Sequence, residues 1–197
     1  MIRILDFFFS FLGLIILSPF LFFIGLIIKL SSRGPVFYKQ SRVGLNGVNF
    51  NIIKFRTMRI NSEKLGLITV GGRDPRITSV GFFLRKYKLD ELPQLLNVFI
   101  GEMSLVGPRP EVKKYVDLYT KEQKKVLSIR PGITDWASIY YKHENAILGE
   151  SSDPEKDYIE KVMPDKLNYN LVYIANYGFL EYFKIIFTTI WRIIFAK

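Results

Sequence analysis

The chain has 197 residues, with 28 Lys and Arg against 18 Asp and Glu, a formal net charge of +10. Hydrophobic types make up 49% and aromatics 15%, which together with this basicity excludes a disordered acidic chain and argues against an ordinary cytosolic globule. With no Cys and a single His, His143, the chain has no disulfide, thiol nucleophile or thiolate-bound zinc, so a bound metal takes oxygen ligands, which suits Mg²⁺.

Residues 1–60 hold 8 basic residues and 1 acid, Asp6, so most of the net charge lies beside the N-terminus. Nucleic acid or an anionic membrane surface fits such an excess. The apolar segment decides for the membrane, and nucleic acid is not expected as a partner. Phe7 to Ile28 is a run of 22 residues without a charge. As a helix it is roughly 33 Å long, about the thickness of a bilayer core. Its length and the turn-like Ser31-Ser32-Arg33-Gly34-Pro35 that follows argue against a cleaved leader. Ser18-Pro19 lies near the middle. Proline removes a backbone donor and crowds the carbonyl four residues earlier, and Ser18 can satisfy freed backbone groups. The residues alone leave two topologies open. One is a straight span with the basic cluster in the cytoplasm. The other is a broken helix that dips into the membrane and returns, with Arg3 and Asp6 at the same interface as Lys29 and Arg33.

Next, Val36 to Val43 and Val48 to Phe55 read as strands around a Gly44-Leu45-Asn46-Gly47 turn, a β-hairpin. Residues 61–77 read as a loop. Ser79 to Lys88 is a short helix. Asp90 to Ile100 is another, with Asp90 as N-cap, Pro93 in the first turn and Gly101 past the end. Residues 104–110 read as a loop, and Glu111 to Leu127 as an amphipathic helix stopped by Arg130-Pro131-Gly132. From Phe179 onward apolar residues recur at helical spacing, with Lys184, Thr188 and Arg192 on the other face. Its aromatic and basic content, with Tyr182 and Trp191 at headgroup level, points to a helix lying on the membrane.

Three clusters carry chemistry. In Leu89-Asp90-Glu91-Leu92-Pro93-Gln94, an N-cap carboxylate lies where amides and dipole favour anions, and Arg85, Lys86 and Lys88 add positive charge. A carboxylate kept ionised by these cations can attack phosphorus and form an acyl phosphate, while Glu91 can hold Mg²⁺. In Gly107-Pro108-Arg109-Pro110 a stiff backbone aims one Arg, a fork suited to phosphate. The third cluster comprises Lys54-Phe55-Arg56-Thr57-Met58 and Gly72-Arg73-Asp74-Pro75-Arg76-Ile77-Thr78, which place further cations at a strand end and in a loop. Neither common glycine-rich nucleotide cradle is present.

The order of these motifs carries a resemblance. The apolar run broken at Ser18-Pro19 is followed by Ser32-x-Gly34-Pro35, Arg42-Val43-Gly44 and the clusters above. Asn97-Val98, Met103 to Pro110 and Arg130-Pro131-Gly132-Ile133-Thr134 complete the order. The chain closely resembles the monotopic phosphoglycosyl transferases among the bacterial sugar transferases, the short, PglC-like members above all, over roughly residues 1–190. The resemblance implies an enzyme that moves a sugar-1-phosphate from a UDP-sugar to polyprenol (undecaprenyl) phosphate with Mg²⁺ and release of UMP. This reaction would be the first step of bacterial surface glycan or glycoconjugate assembly, at the cytoplasmic face of the inner membrane. It implies Asp90 as nucleophile, Glu91 as the metal-assisting carboxylate, and Arg85 and Arg109 as phosphate ligands; Lys54, Arg56 and Arg73 of the third cluster are expected as further substrate-binding cations. It also implies a re-entrant N-terminal helix, which chooses between the two topologies.

The expected architecture is therefore α+β and mostly helical. Residues 1–35 form a broken, re-entrant membrane helix. Residues 36–197 form a cytoplasmic catalytic domain with a small β-hairpin, a helical body and an interfacial C-terminal helix. Membrane lipids are partners, and self-association and downstream glycosyltransferases are compatible with the role. The alternative is a catalytically inactive membrane-bound scaffold of the same family, against which the intact Asp90-Glu91 pair argues. Two departures bear on the sugar. Asp135-Trp136-Ala137-Ser138 stands where many members have Gly-Leu-Ala-Gln, and Asn170 stands where many short members carry an acid.

Overall fold

The computed structural model describes residues 1–60, 62 and 74–195, the side chains of 193 and 194 excepted. It is a mostly helical α+β structure with two small sheets. Helix α1 spans Ile2–Ser31 and is long and apolar enough to cross a membrane. It runs through Pro19 as one element, so the expected break is not an interruption of the helix. The local chemistry shows how. Pro19 has no N–H for the Ile15 carbonyl, and the Ser18 hydroxyl donates to that carbonyl at 2.8 Å.

One side of α1 packs on the rest of the chain at both ends. Ile2 and Leu5 join a cluster around Tyr173, Tyr182 and Ile185. Leu21, Ile24 and Ile28 join Phe55 and Leu84. Between them, Phe7 stacks on Phe99 with ring centroids 4.9 Å apart. The opposite side, with Phe8, Ile16, Phe22 and Phe23, is exposed.

The hairpin forms as the alternation predicts. Strands β1 (Phe37–Val43) and β2 (Asn49–Phe55) pair antiparallel, with Phe37 opposite Phe55 and Val43 opposite Asn49. Side chains alternate across a strand. Lys54 therefore shares a face with Phe50 and Ile52, which pack on Val98 and Met103.

Helix α2 (Ser79–Lys86) starts at Thr78, whose hydroxyl accepts from the Gly81 N–H at 2.9 Å. Lys88 then adopts a left-handed conformation (φ 57°), uncommon for a residue with a Cβ. A 3-10 turn over Leu89–Glu91 follows, and α3 runs from Gln94 to Ile100, closed by left-handed Gly101. Asp90 is thus not the N-cap of α3. Pro93 holds that position, and Asp90 lies in the tighter turn before it. The reason is local: the turn closes by the Leu92 N–H bonding to the Leu89 carbonyl, with Lys88 as its entry residue.

The expected loop at 104–110 contains a strand, β3 (Ser104–Val106), parallel to β4 (Gly132–Thr134). The expected helix over 111–127 is instead α4 (Lys113–Val116), a turn, and a 3-10 segment at Gln123–Ser128. A capping box divides it. The Gln123 N–H donates to the Thr120 hydroxyl at 3.2 Å, and the Thr120 N–H donates to the Gln123 side chain at 2.9 Å.

Four helices follow where the sequence reading names none: α5 (Trp136–Tyr140), α6 (Glu144–Gly149), α7 (Pro154–Asp157) and α8 (Met163–Ala175). A π-type turn at Tyr158–Val162 leads into α8. Tyr115, Tyr119, Val126, Leu148, Tyr158 and Leu167 form part of the core beneath them. Helix α9 (Phe179–Ile194) begins where the periodicity puts it. It exposes Leu180 (84%), Phe187 (65%) and Trp191 (62%). Tyr182 is fully buried, not at a headgroup level, because its hydroxyl donates to Asp6.

Candidate active site

The 3-10 turn, β2 and the loop after β3 converge on Glu91. From β2, the Lys54 ammonium donates to Glu91 Oε1 at 2.8 Å. From the loop, Arg109 forms a two-pronged pair with the same carboxylate, its Nη1 donating to Oε2 at 3.2 Å and its Nη2 to Oε1. Burial pushes Glu91 up, but Arg109 and Lys54 overcome it and hold the carboxyl well below the usual range. Glu91 in turn raises Arg109 further, while burial lowers Lys54.

Asp90, one residue away, is in the opposite state. It is 8% exposed, and no described residue hydrogen-bonds or ion-pairs with its carboxylate. Burial raises it first and the Glu91 charge second, against Lys54, Arg85 and Lys88. Lys54, Arg85 and Lys88 still favour the ionised form of Asp90, but less than burial and the Glu91 charge oppose it. Arg85 lies close enough for its charge to act on Asp90, Asp74 and Glu91, and burial lowers it. Lys86 is exposed beside Tyr87.

The other cations sort differently. Arg56 is buried and donates to the Ser32 carbonyl and hydroxyl, both at 3.0 Å, and to the Arg33 carbonyl. It secures the end of α1 and is not brought to the carboxylates. Arg73 lies outside the described residues. Arg76 holds Asp74 in a fork, its Nε 2.9 and 3.0 Å from the two oxygens.

Several residues that fix this geometry carry no charge cluster of their own. Asn97, fully buried in α3, takes both groups of a strand edge: its Oδ1 accepts from the Ile53 N–H at 3.0 Å, and its Nδ2 donates to the Asn51 carbonyl at 2.8 Å. It thereby sets Lys54 against Glu91. The motif Asn97-Val98 holds the signal, but its spacing from β2 does not. Asp135 is also fully buried. Its Oδ1 accepts from the Ser138 N–H at 2.6 Å, capping α5, and its Oδ2 from the Arg109 N–H at 3.3 Å. Trp136 Nε1 donates to Glu181 of α9 at 2.6 Å. The first departure, through Asp135 and Trp136, therefore holds the Arg109 loop and α9. Asn170 is 4% exposed and lines a cavity of about 20 Å³ with Arg109 and Pro110, its Oδ1 without a partner among the described residues. His143 precedes α6 without a side-chain cap, and Glu144 pairs with Lys166 at 2.8 Å.

Gly107 and Gly132 interlock two motifs that are distant in sequence. A Cβ on Gly132 would lie 2.0 Å from the Gly107 nitrogen, and one on Gly107 would lie 2.4 Å from the Arg130 carbonyl oxygen. Only bare backbones fit, and the Gly107 N–H donates to the Thr134 carbonyl at 3.0 Å.

Among the described residues no three His, Cys, Asp or Glu side chains gather into a metal cage. Asp90 still offers an open carboxylate, and Mg²⁺ commonly uses one or two carboxylates with substrate phosphates and water. The donor set fits that kind of site. Glu91, with its oxygens facing Lys54 and Arg109, enters it only by exchanging one of those cations.

The "Bacterial sugar transferase" family model matches residues 1–196. The "UDP-glucose:undecaprenyl-phosphate glucose-1-phosphate transferase" of Escherichia coli (strain K12) is 37% identical over 182 residues, 91% of this chain and 37% of that protein. The "UDP-N-acetylgalactosamine-undecaprenyl-phosphate N-acetylgalactosaminephosphotransferase" of Aeromonas hydrophila is 38% identical over 176 residues, 88% of this chain and 38% of that protein. The chain thus spans less than two fifths of the length of either relative. The "Exopolysaccharide production protein PSS" of Rhizobium leguminosarum bv. phaseoli is 36% identical over 196 residues, 95% of this chain and 92% of that protein. With a family match along nearly its whole length and a relative 36% identical over 95% of it, the chain belongs to the bacterial sugar transferase family.

Proposed function

We propose that this protein transfers a sugar-1-phosphate from a UDP-sugar to polyprenol phosphate, undecaprenyl phosphate in a bacterium, and releases UMP. The observation that carries the reading is the Asp90 carboxylate, without a partner among the described residues and buried near Lys54, Arg85, Lys88 and the Arg109–Glu91 fork. The names of the relatives support the substrate classes.

In this mechanism the donor diphosphate enters beside Arg85, Lys88 and Arg109, which offset its charge. Asp90 attacks the phosphorus that bears the sugar. An Asp90 oxygen–phosphorus bond forms, the phosphoanhydride bond breaks, and UMP leaves with the bonding pair. The lipid phosphate oxygen then attacks the same phosphorus and Asp90 departs as carboxylate. Glu91 holds Arg109 and Lys54 in place through both displacements. Mg²⁺, held by Asp90 and the substrate phosphates, would offset charge on the diphosphate when bound. Arg73 joins the proposal as a further phosphate ligand. Arg56 enters only as the residue that fixes the end of α1.

The same reading places the chain at the cytoplasmic face of the inner membrane, with residues 1–35 entering and leaving one leaflet and residues 36–197 in the cytoplasm. Its support is that α1 packs on one body at both ends, whereas a straight span separates its ends by a bilayer. Membrane impermeant labelling of Cys introduced at position 2 is expected to fail from outside intact cells. Labelling there would overturn the topology. For the reaction, purified protein, polyprenol phosphate and Mg²⁺ are mixed with a panel that includes UDP-glucose and UDP-N-acetylgalactosamine. UMP release with at least one donor is expected, and none with any donor contradicts the reading.

A further inference from the structure

We propose that Arg3 and Asp6, on the first two turns of α1, are positioning residues for the transfer site. They hold the helix that follows Asp90-Glu91 and the strand that leads to Arg109 in one fixed relation. The N-terminal helix then acts as a clamp as well as an anchor.

Residues three apart share a helix face, so Arg3 and Asp6 reach the body together. Arg3 donates to the last turn of α3, with Nη1 on the Val98 carbonyl and Nη2 on the Phe99 carbonyl at 2.8 Å. The Val98 carbonyl also accepts from the Gly101 N–H at 3.1 Å, so Arg3 adds a second bond there, and a cation at this helix end complements the dipole. Asp6 is 1% exposed. One of its oxygens accepts from the Ser104 hydroxyl at 3.0 Å, the Leu105 N–H at 2.9 Å and the Tyr182 hydroxyl at 2.8 Å. An apolar pair would anchor the helix without burying charge, which is costly unless every bond is made. Directional bonds fix register and distance as well.

The path onward is short and stiff. Ser104 and Leu105 are the first residues of β3, which runs into Gly107-Pro108-Arg109. That loop is tied by Gly107 to Thr134 and by Gly132 to Pro108, each at 3.0 Å, and by Arg109 to Asp135 at 3.3 Å. On the other side, α3 is continuous with the turn that carries Asp90 and Glu91 through bonds from Leu95 to Leu92 and from Leu96 to Pro93. Arg109 and Glu91 meet at the far end of both paths. A displacement of about 1 Å there is enough to cost roughly 10²-fold in rate.

The test uses the full chain in lipid nanodiscs: wild type, Arg3→Ala, Asp6→Ala, Asp6→Asn, and Asp6→Ala combined with Arg109→Ala. Amide hydrogen exchange reads geometry without any assumption about the reaction. Exchange should rise over 104–111 in Asp6→Ala and over 94–101 in Arg3→Ala, while the 37–55 hairpin keeps its protection. The kinetic arm rests on the proposed transferase reading. Asp6→Ala should lower kcat by about 10²-fold with little change in KM. Asp6→Asn, which keeps an acceptor oxygen, should recover most of the loss. In the double variant the losses should not multiply, because Asp6 acts through Arg109. Unchanged exchange over 104–111, a uniform rise that includes the hairpin, or multiplying losses would overturn the clamp. If wild type turns over no UDP-sugar, the transferase reading fails, and the exchange pattern still decides the clamp.

Discussion

Asp6 and Glu91 are both carboxylates removed from water, and they are stabilised by different means. Asp6 collects three neutral donors on one oxygen, from β3 and α9. Glu91 collects two cations, Lys54 and Arg109. Fixed dipoles suit a joint that must keep its geometry. Cations suit a site that must hand charge to an incoming phosphate, since Lys54 and Arg109 can share their protons between Glu91 and a ligand. Among the described residues Asp90 has neither kind of partner, which in the proposed reaction leaves it available to attack.

The largest expected break of this comparison is Asp90→Asn. Turnover should fall by several orders of magnitude, as for other deleted nucleophiles. Stability should hold or rise. Asp90 is raised by burial and by Glu91, so its ionised form disfavours the fold above its unfolded pKa, and the amide removes that penalty. Denaturant unfolding at neutral pH checks the sign.

Glu91→Gln should instead destabilise by about 3 kcal/mol, because Lys54 and Arg109 lose their counter-charge. Glu91 is depressed in the folded state, so its contribution is present above the unfolded carboxylate pKa and is lost as pH falls through the folded one. The gap between wild type and Glu91→Gln should therefore close in strong acid. Turnover should show an acid limb above the ordinary carboxylate range, since Asp90 must lose its proton to attack. Lys54→Gln should move that limb to still higher pH, because Lys54 opposes the rise. The smallest effect belongs to Asp6→Asn, about 1 kcal/mol in unfolding experiments, since a neutral acceptor serves neutral donors nearly as well.

Much of this arrangement was legible before any coordinates. Alternation gave the hairpin its bounds, and the apolar spacing gave α9 its start. Motif order singled out Asp90, Glu91 and Arg109, and the fold brings Arg109 onto Glu91. What was illegible has physical causes. Helices α4 to α7 are 4–6 residues long, too short for an amphipathic period to register. The division of 111–127 was written in Thr120 and Gln123, a capping box inside an apolar repeat. The sequence distinguishes the roles of Asp90 and Glu91 but not the electrostatics of their surroundings. Their opposite states come from β2 and the Arg109 loop, 37 and 18 residues away from Glu91. Arg56 reads as a site cation and holds a helix end, because its partners are the Ser32 and Arg33 carbonyls.

The central claim is that Asp90 carries the phosphosugar. Intact-mass analysis of the full chain after mixing with UDP-sugar alone, without lipid acceptor, tests it directly. The account predicts a mass increase equal to one phosphosugar in wild type, localised to the peptide bearing Asp90 and absent from Asp90→Asn. A wild-type protein that turns over both substrates together yet shows no adduct under trapping conditions would contradict it.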